Sequence, residues 1–202
     1  MKILLLGSNG GVGSKVTKLL KERDADFTAS VRDSNKLEEL KNDNIDVKLI
    51  DVAKDSIDDL AKSFKGYDKV LFSVGASGKG GAEATVKVDL DGAVKTMDAA
   101  KKAGIDQYYM VSTWDSSRIA VDNPDDPIKT YTIAKHYADL YLKNESGLTY
   151  TIIHPSTLND EAGSGTIEVV DTHSTDEASK KSISREDVAS VITELLLSDG
   201  YK

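Results

Sequence analysis

Tyr131 and Lys135 stand four residues apart, so on a helix both side chains project from one face. An ammonium beside a phenol lowers the phenol's pKa, and a tyrosine tuned in this way can pass a proton to or from a carbonyl or alcohol oxygen. The lysine can also bind ribose hydroxyls. The second chemical spacing is in Gly7-Ser8-Asn9-Gly10-Gly11-Val12-Gly13, where Gly7, Gly10 and Gly13 recur at every third position. Between a strand and a helix, such glycines allow a tight turn and let the backbone approach a diphosphate. The helix N-terminus beyond them offers free N–H groups and a dipole to hold the anion. The strict G-x-G-x-x-G form fails because residue 9 is Asn, and a Walker A loop fails because Gly13 is followed by Ser14 and Lys15. The plainer alternatives are a turn that only packs tightly, and an amphipathic helix with a half-buried Tyr131 and a solvated Lys135.

The elements that must position these residues alternate along the chain. Ile3 to Leu6 is apolar at consecutive positions, which suits a central parallel strand covered on both faces. Val12, Val16, Leu19 and Leu20 follow as a helical stripe. Strands are expected at Phe27–Val31, Ile45–Ile50, Val70–Val74, Tyr108–Ser112 and Tyr150–Ile153. Helices are expected around Leu37 and Leu40, over Ile57–Phe64, along Val86, Leu90, Val94 and Met97 as far as a Gly104 C-cap, and over Tyr131–Lys143. Trp114–Lys129 holds Pro124 and Pro127 and reads as an irregular loop. The tail from Gly163 offers one short strand and a helix with Val188, Val191, Ile192 and Leu195. Helices between strands imply crossovers and a doubly wound parallel α/β sheet, expected as one domain over residues 1–202.

Composition narrows the partners. The formal charge of the 202 residues is −8, with a pI near 4.9, so no diffuse positive field collects phosphate backbones or anionic lipid. The expected partner is a small molecule, with no nucleic acid and no membrane, and the chain is expected to act as a monomer or homodimer. The absence of cysteine excludes disulfide scaffolds, thiolate metal sites and cysteine nucleophiles. His136, His154 and His173 show no metal-ligand spacing, and Asp122–Asp126 lacks the glycine and closing Glu of a calcium loop, so no metal is expected. Gly75-Ala76-Ser77-Gly78-Lys79 lacks the final glycine of a hydrolase nucleophile elbow. Ile3–Leu6, the longest early apolar run, is too short for a signal segment or a spanning helix, which gives a cytoplasmic expectation.

Roughly 20 residues past the glycines, an acid at the end of the second strand would chelate the ribose hydroxyls of NAD. Val31 and Arg32 occupy that place. A guanidinium pairs with a 2′-phosphate and stacks on adenine, which favours NADP(H) over NAD(H); the adjacent Asp33 keeps NAD(H) open, and a solvated surface charge is the plainer alternative.

With these residues in place, the chain resembles the short-chain dehydrogenase/reductase superfamily, in its atypical branch of small NAD(P)-binding, epimerase-related proteins. The resemblance runs through KILLLGSNGGVGSKV, SVRDSNKLEEL, LIDV, VLFSVGA, YYMVSTW, YTIAKHYADLYLKNESGLTYTIIHP and ISREDVA in order. It implies a Rossmann fold with a small C-terminal extension on the substrate side, and an NADP(H)-dependent oxidoreductase acting on a small carbonyl or quinone-like acceptor. It further implies that Ser8, Asn9, Gly11 and Val12 join the glycines around the coenzyme. Asp51 and Val52 would edge the adenine, and Ser73, Val74 and Gly75 would lie along the ribose and diphosphate. Ser112, next to Thr113, would partner Tyr131 and Lys135 in catalysis. His154, Pro155 and Ser156 occupy the turn beneath the nicotinamide, where relatives carry Arg-Pro followed by glycine. Two alternatives stand beside this reading: a non-enzymatic NADP(H)-binding redox sensor, and a sugar epimerase or dehydratase whose chemistry begins with the same transient oxidation. Ser184-Arg185-Glu186-Asp187 reads first as a helix start, with Arg185 near the substrate side by resemblance.

Overall fold

The computed structural model describes residues 1–76, 78, 80–170 and 181–198; Ser77, Lys79 and His173 lie outside the described residues. Six parallel strands, β1 (Ile3–Leu6), β2 (Phe27–Val31), β3 (Val47–Leu49), β4 (Lys69–Phe72), β5 (Gln107–Val111) and β6 (Tyr150–Ile153), lie in the order β3-β2-β1-β4-β5-β6. This is the Rossmann-like α/β arrangement expected from the alternation of strands and helices. The order reverses between β1 and β4, which places a crevice at the carboxyl ends of those two strands.

Alternation along β1 explains its unbroken apolar run. Leu4 and Leu6 enter one core with Val70, Phe72, Leu60, Phe64 and Met97, while Ile3 and Leu5 enter the other with Val12, Val16, Leu20 and Leu71. Helix α1 (Gly11–Glu22) and helix α8 (Arg185–Leu197) cover the second face, where Val188, Ala189, Ile192 and Leu196 share the core of α1. The first face is covered by α3 (Ile57–Phe64), α5 (Ala93–Ala103) and α7 (Lys129–Asn144). Helix α2 (Ser34–Asn42) starts on Asp33, whose carboxylate accepts from the Asn35 N–H at 2.8 Å. Gly104 ends α5 in the left-handed conformation, as its position past the apolar stripe predicts. No helix among the described residues is long and apolar enough to cross a membrane.

Two segments differ from expectation. The helix predicted from Val86 to Met97 is interrupted: α4 (Gly81–Thr85) continues as a π-helical turn over Val86–Gly92 before α5 begins. The wider turn shifts the inward face, so Val86 is exposed while Val88 and Asp89 are buried. The expected loop Trp114–Lys129 contains α6 (Arg118–Asp122), capped by the Ser117 hydroxyl and braced by an Arg118–Asp122 ion pair of 2.6 Å. Its five residues are too few for an apolar period to show in the sequence. Past β6, a parallel pair of short strands, β7 (Thr157–Asn159) and β8 (Ser182–Ser184), leads into α8, whose N-cap is Ser184.

Candidate functional site

The crevice between β1 and β4 opens into a cleft of about 290 Å³. Of the residues expected around a coenzyme, Gly7, Asn9, Gly10, Gly11, Arg32, Asp51, Val52, Ser73, Val74 and Gly75 line it. Ser30, Ile50, Ala76 and Val88 join them without having been foreseen. Ser8 and Val12 are buried beneath the turn: the Ser8 hydroxyl donates to the Leu5 carbonyl at 3.1 Å and accepts from the Ser30 N–H at 2.9 Å.

The three phased glycines divide their work. Gly7 has φ +88, and a Cβ there would meet the Ser73 carbonyl oxygen at 2.5 Å; a Cβ on Gly13 would meet the Gly7 carbonyl oxygen at 2.1 Å. Both positions shape the turn itself. A Cβ on Gly10 would press less hard, at 3.3 Å from the Gly7 carbonyl oxygen, and lies at the cleft wall. Gly10 N-caps α1 without a side-chain hydrogen bond, and the first turn of α1 holds no acid. Helix geometry leaves the N–H groups of Gly11, Val12 and Gly13 without helical partners. A bare helix start facing a glycine-walled cleft fits a diphosphate.

Arg32 lies at the cleft rim, exposed, with no ion pair or hydrogen bond among the described residues. Asp51 is turned toward its own loop, accepting from the Ala53 N–H at 3.1 Å.

A second cavity, of about 600 Å³, lies at the ends of β5 and β6 and is lined by Ser112, Thr113, Trp114, Tyr131, Pro155, Ser156 and Arg185 among others. His154 lines an adjoining cavity with Pro155 and Ser156, and its Nδ1 donates to the Thr113 carbonyl at 2.7 Å. The Ser112 hydroxyl donates to Asp139 at 3.0 Å, and the Thr113 hydroxyl acts to lower the Tyr131 pKa.

Lys135 lies beside Tyr131, its Nζ 5.6 Å from the ring centroid, as the four-residue spacing requires. Its burial could not be foreseen. Lys135 is 3% exposed and lines neither cavity; its ammonium donates to the Val111 carbonyl at 3.1 Å and lies 3.7 Å from Asp89, which is 0% exposed. Burial lowers the Lys135 pKa against the pull of Asp89 and Asp139. The expectation that the ammonium lowers the Tyr131 pKa is corrected by the same arrangement. Burial, followed by the carboxylates of Asp89 and Asp139, pushes the Tyr131 phenol up to about 12, with the Thr113 hydrogen bond opposing them. The two acids belong to the buried cluster around Tyr131 and Lys135, and sequence reasoning missed them. Asp89 anchors the end of β4 by accepting from the Ala76 N–H at 3.0 Å, and Asp139 gathers Ser112 and Ser116. Each keeps one buried oxygen without a hydrogen-bond partner.

Comparison with known proteins places these cavities in a family context. The NAD(P)H-binding family matches residues 7–199. An uncharacterized sugar epimerase of Bacillus subtilis is 36% identical over 95% of this chain and 86% of its own length. A Saccharomyces cerevisiae UPF0659 protein is 36% identical over 98% of this chain and 87% of its own. Among solved structures, the oxidoreductase ylbE of Lactococcus lactis superposes with a TM-score of 0.80 at 34% identity, covering 98% of this chain and 86% of that one.

Proposed function

The chain belongs to the NAD(P)H-binding family of the atypical short-chain dehydrogenase/reductase type, and from that premise we propose that it is an NADP(H)-dependent reductase delivering hydride to a small carbonyl or quinone-like acceptor. The observation that carries this reading is the pair of cavities at the strand carboxyl ends: a glycine-walled cleft at the bare start of α1, and a second space into which Tyr131 faces. The coenzyme, when bound, supplies the hydride. Gly10 leaves the room for its diphosphate, Arg32 pairs with its 2′-phosphate, and Asp51, Val52 and Ser73 to Gly75 border its adenosine half.

Tyr131 provides the proton. Its pKa, pushed up to about 12 by burial and by Asp89 and Asp139, keeps the phenol protonated at neutral pH, so the residue is present as a donor and not as a base. A phenol of this kind remains a stronger acid than the alcohol product, so an alkoxide formed at the carbonyl oxygen takes its proton. The proton passes from the Tyr131 oxygen to that alkoxide, and the tyrosinate regains one from solvent in the open cavity. Ser112, its hydroxyl held by Asp139, keeps the role of partner that the resemblance gives it, and Thr113 beside the phenol opposes the rise in the Tyr131 pKa. Lys135 acts through charge and by bracing Asp89, and Pro155 and Ser156 line the Tyr131 cavity, with His154 beside them in the adjoining one.

The enclosure of Lys135 specifically favours a second reading, a coenzyme-binding module without turnover, because a 3% exposed ammonium offers little to a ribose. Oxidation of NADPH in the presence of aldehydes, ketones and quinones separates the two. Turnover of any of these acceptors is expected, whereas tight NADPH binding with no acceptor reduced would leave only the module.

The glycines provide a further check. Gly10→Ala is expected to lower the melting temperature far less than Gly13→Ala while weakening NADPH at least tenfold, since its Cβ would press on the Gly7 carbonyl oxygen only at 3.3 Å and lies at the cleft wall. Gly13→Ala is expected to lose both stability and NADPH binding, because the Gly7 carbonyl cannot yield to a Cβ at 2.1 Å without opening the turn. Equal behaviour of the two variants in calorimetry and thermal melts would remove the assigned division between turn and ligand.

A further inference from the structure

Among the described residues, Arg185 is the one basic side chain on the wall of the Tyr131 cavity. It opens α8 and reaches across to the start of α1, where a Cβ on Gly11 would lie 2.8 Å from its Nε and 2.9 Å from its Cδ. The glycine at position 11 therefore makes room for this side chain. The placement is electrostatically unfavourable on its own terms, because the amino end of α1 is the positive end of a helix dipole and its first turn contains no acid. The guanidinium has one ion-pair partner, Asp160, at 2.9 Å. Asp160 is 83% exposed, and so exposed a pair contributes little and exchanges readily with other anions. The Arg185 side chain, in contrast, is 26% exposed and held in place by α8. Glu186 secures the same region by accepting from Lys15 at 3.1 Å and from the Gly163 N–H at 2.9 Å.

Arg185 thus presents a guanidinium on the wall of the Tyr131 cavity with a weakly held counterion. Building on the reductase reading above, we propose that Arg185 is a specificity-determining residue that takes a carboxylate of the acceptor in exchange for Asp160. The guanidinium lines the Tyr131 cavity and not the glycine cleft, which assigns the anion to the acceptor and not to the coenzyme. Trp114, Ile128, Pro155 and Leu158 add apolar surface to an otherwise polar wall, against which the hydrocarbon part of an acceptor can lie. Asp115 and Asp126 line the cavity too, but both carboxylates are tied into their own turns, accepting from the Ser117 and Ile128 N–H groups at 3.1 and 2.8 Å. They repel a second anion and so orient the acceptor with its carboxylate toward Arg185.

The test uses 4-carboxybenzaldehyde and its methyl ester, titrated by calorimetry into the full chain in excess NADP⁺, where no reduction takes place. The acid is expected to bind at least tenfold more tightly than the ester, as a charge-assisted pair with a guanidinium would give. Arg185→Gln is expected to abolish that preference and Arg185→Lys to restore part of it, with NADP⁺ affinity within twofold of wild type in both. A wild type that does not prefer the acid, or a preference that survives in Arg185→Gln, overturns the proposal. So does a tenfold loss of NADP⁺ in Arg185→Gln, which would give the guanidinium to the coenzyme's diphosphate. Failure of the reductase reading is separate, because it appears as the absence of turnover while these equilibrium titrations remain readable.

Discussion

Tyr131→Phe is expected to lower kcat for carbonyl reduction by about 10²–10⁴-fold, the range lost with a positioned proton donor, while leaving the NADPH dissociation constant within twofold. The substitution removes one oxygen and its hydrogen bond to Thr113, so stability should fall by only about 0.5–1.5 kcal/mol. The pH profile carries the sign of the argument. A donor whose pKa is raised to about 12 stays protonated throughout the neutral range, so the wild-type reduction rate should be level from about pH 6 to pH 9 and fall only in strong alkali. His154 is the competing donor, facing the adjoining cavity with its Nδ1 on the Thr113 carbonyl. A Tyr131→Phe variant retaining a third or more of the activity, together with a loss of that activity in His154→Gln, would transfer the role to His154.

The parts of this site carried by local spacing were legible in the sequence. The glycine turn, the doubly wound sheet and the shared helix face of Tyr131 and Lys135 each follow from periodicities of two to four residues. What sets the chemistry of the pair was not legible, because Asp89 reaches Lys135 only through a widened helical turn that no hydrophobic period announces. Gly11 shows the limit of motif reading: within a glycine-rich turn it looks like another coenzyme contact, yet the atoms its Cβ would strike belong to Arg185 at the far end of the chain. The lowered Lys135 and raised Tyr131 pKa values share that origin, since burial depends on packing that a sequence window does not contain.

Arg32→Ala should separate the two coenzymes, weakening NADPH by about 10–100-fold and NADH by less than threefold, both measured by calorimetry. The expectation rests on Arg32 being free: it stands exposed at the cleft rim without an ion pair among the described residues, so a 2′-phosphate displaces no existing partner. Its neighbour Asp33, the residue that keeps NAD open in the sequence, is engaged by the fold. One carboxylate oxygen caps α2 through the Asn35 N–H at 2.8 Å, so Asp33→Ala should cost about 1 kcal/mol of stability and change NADH affinity little. Because the guanidinium is solvent-exposed, the NADPH advantage should shrink as ionic strength rises, whereas a buried contact would resist salt. Equal losses of NADPH and NADH in Arg32→Ala, or an advantage unchanged between about 0.05 and 0.5 M salt, would show that this arginine does not select the phosphate. The choice of coenzyme would then rest with Asp51, Val52 and the end of β3, on the other side of the cleft.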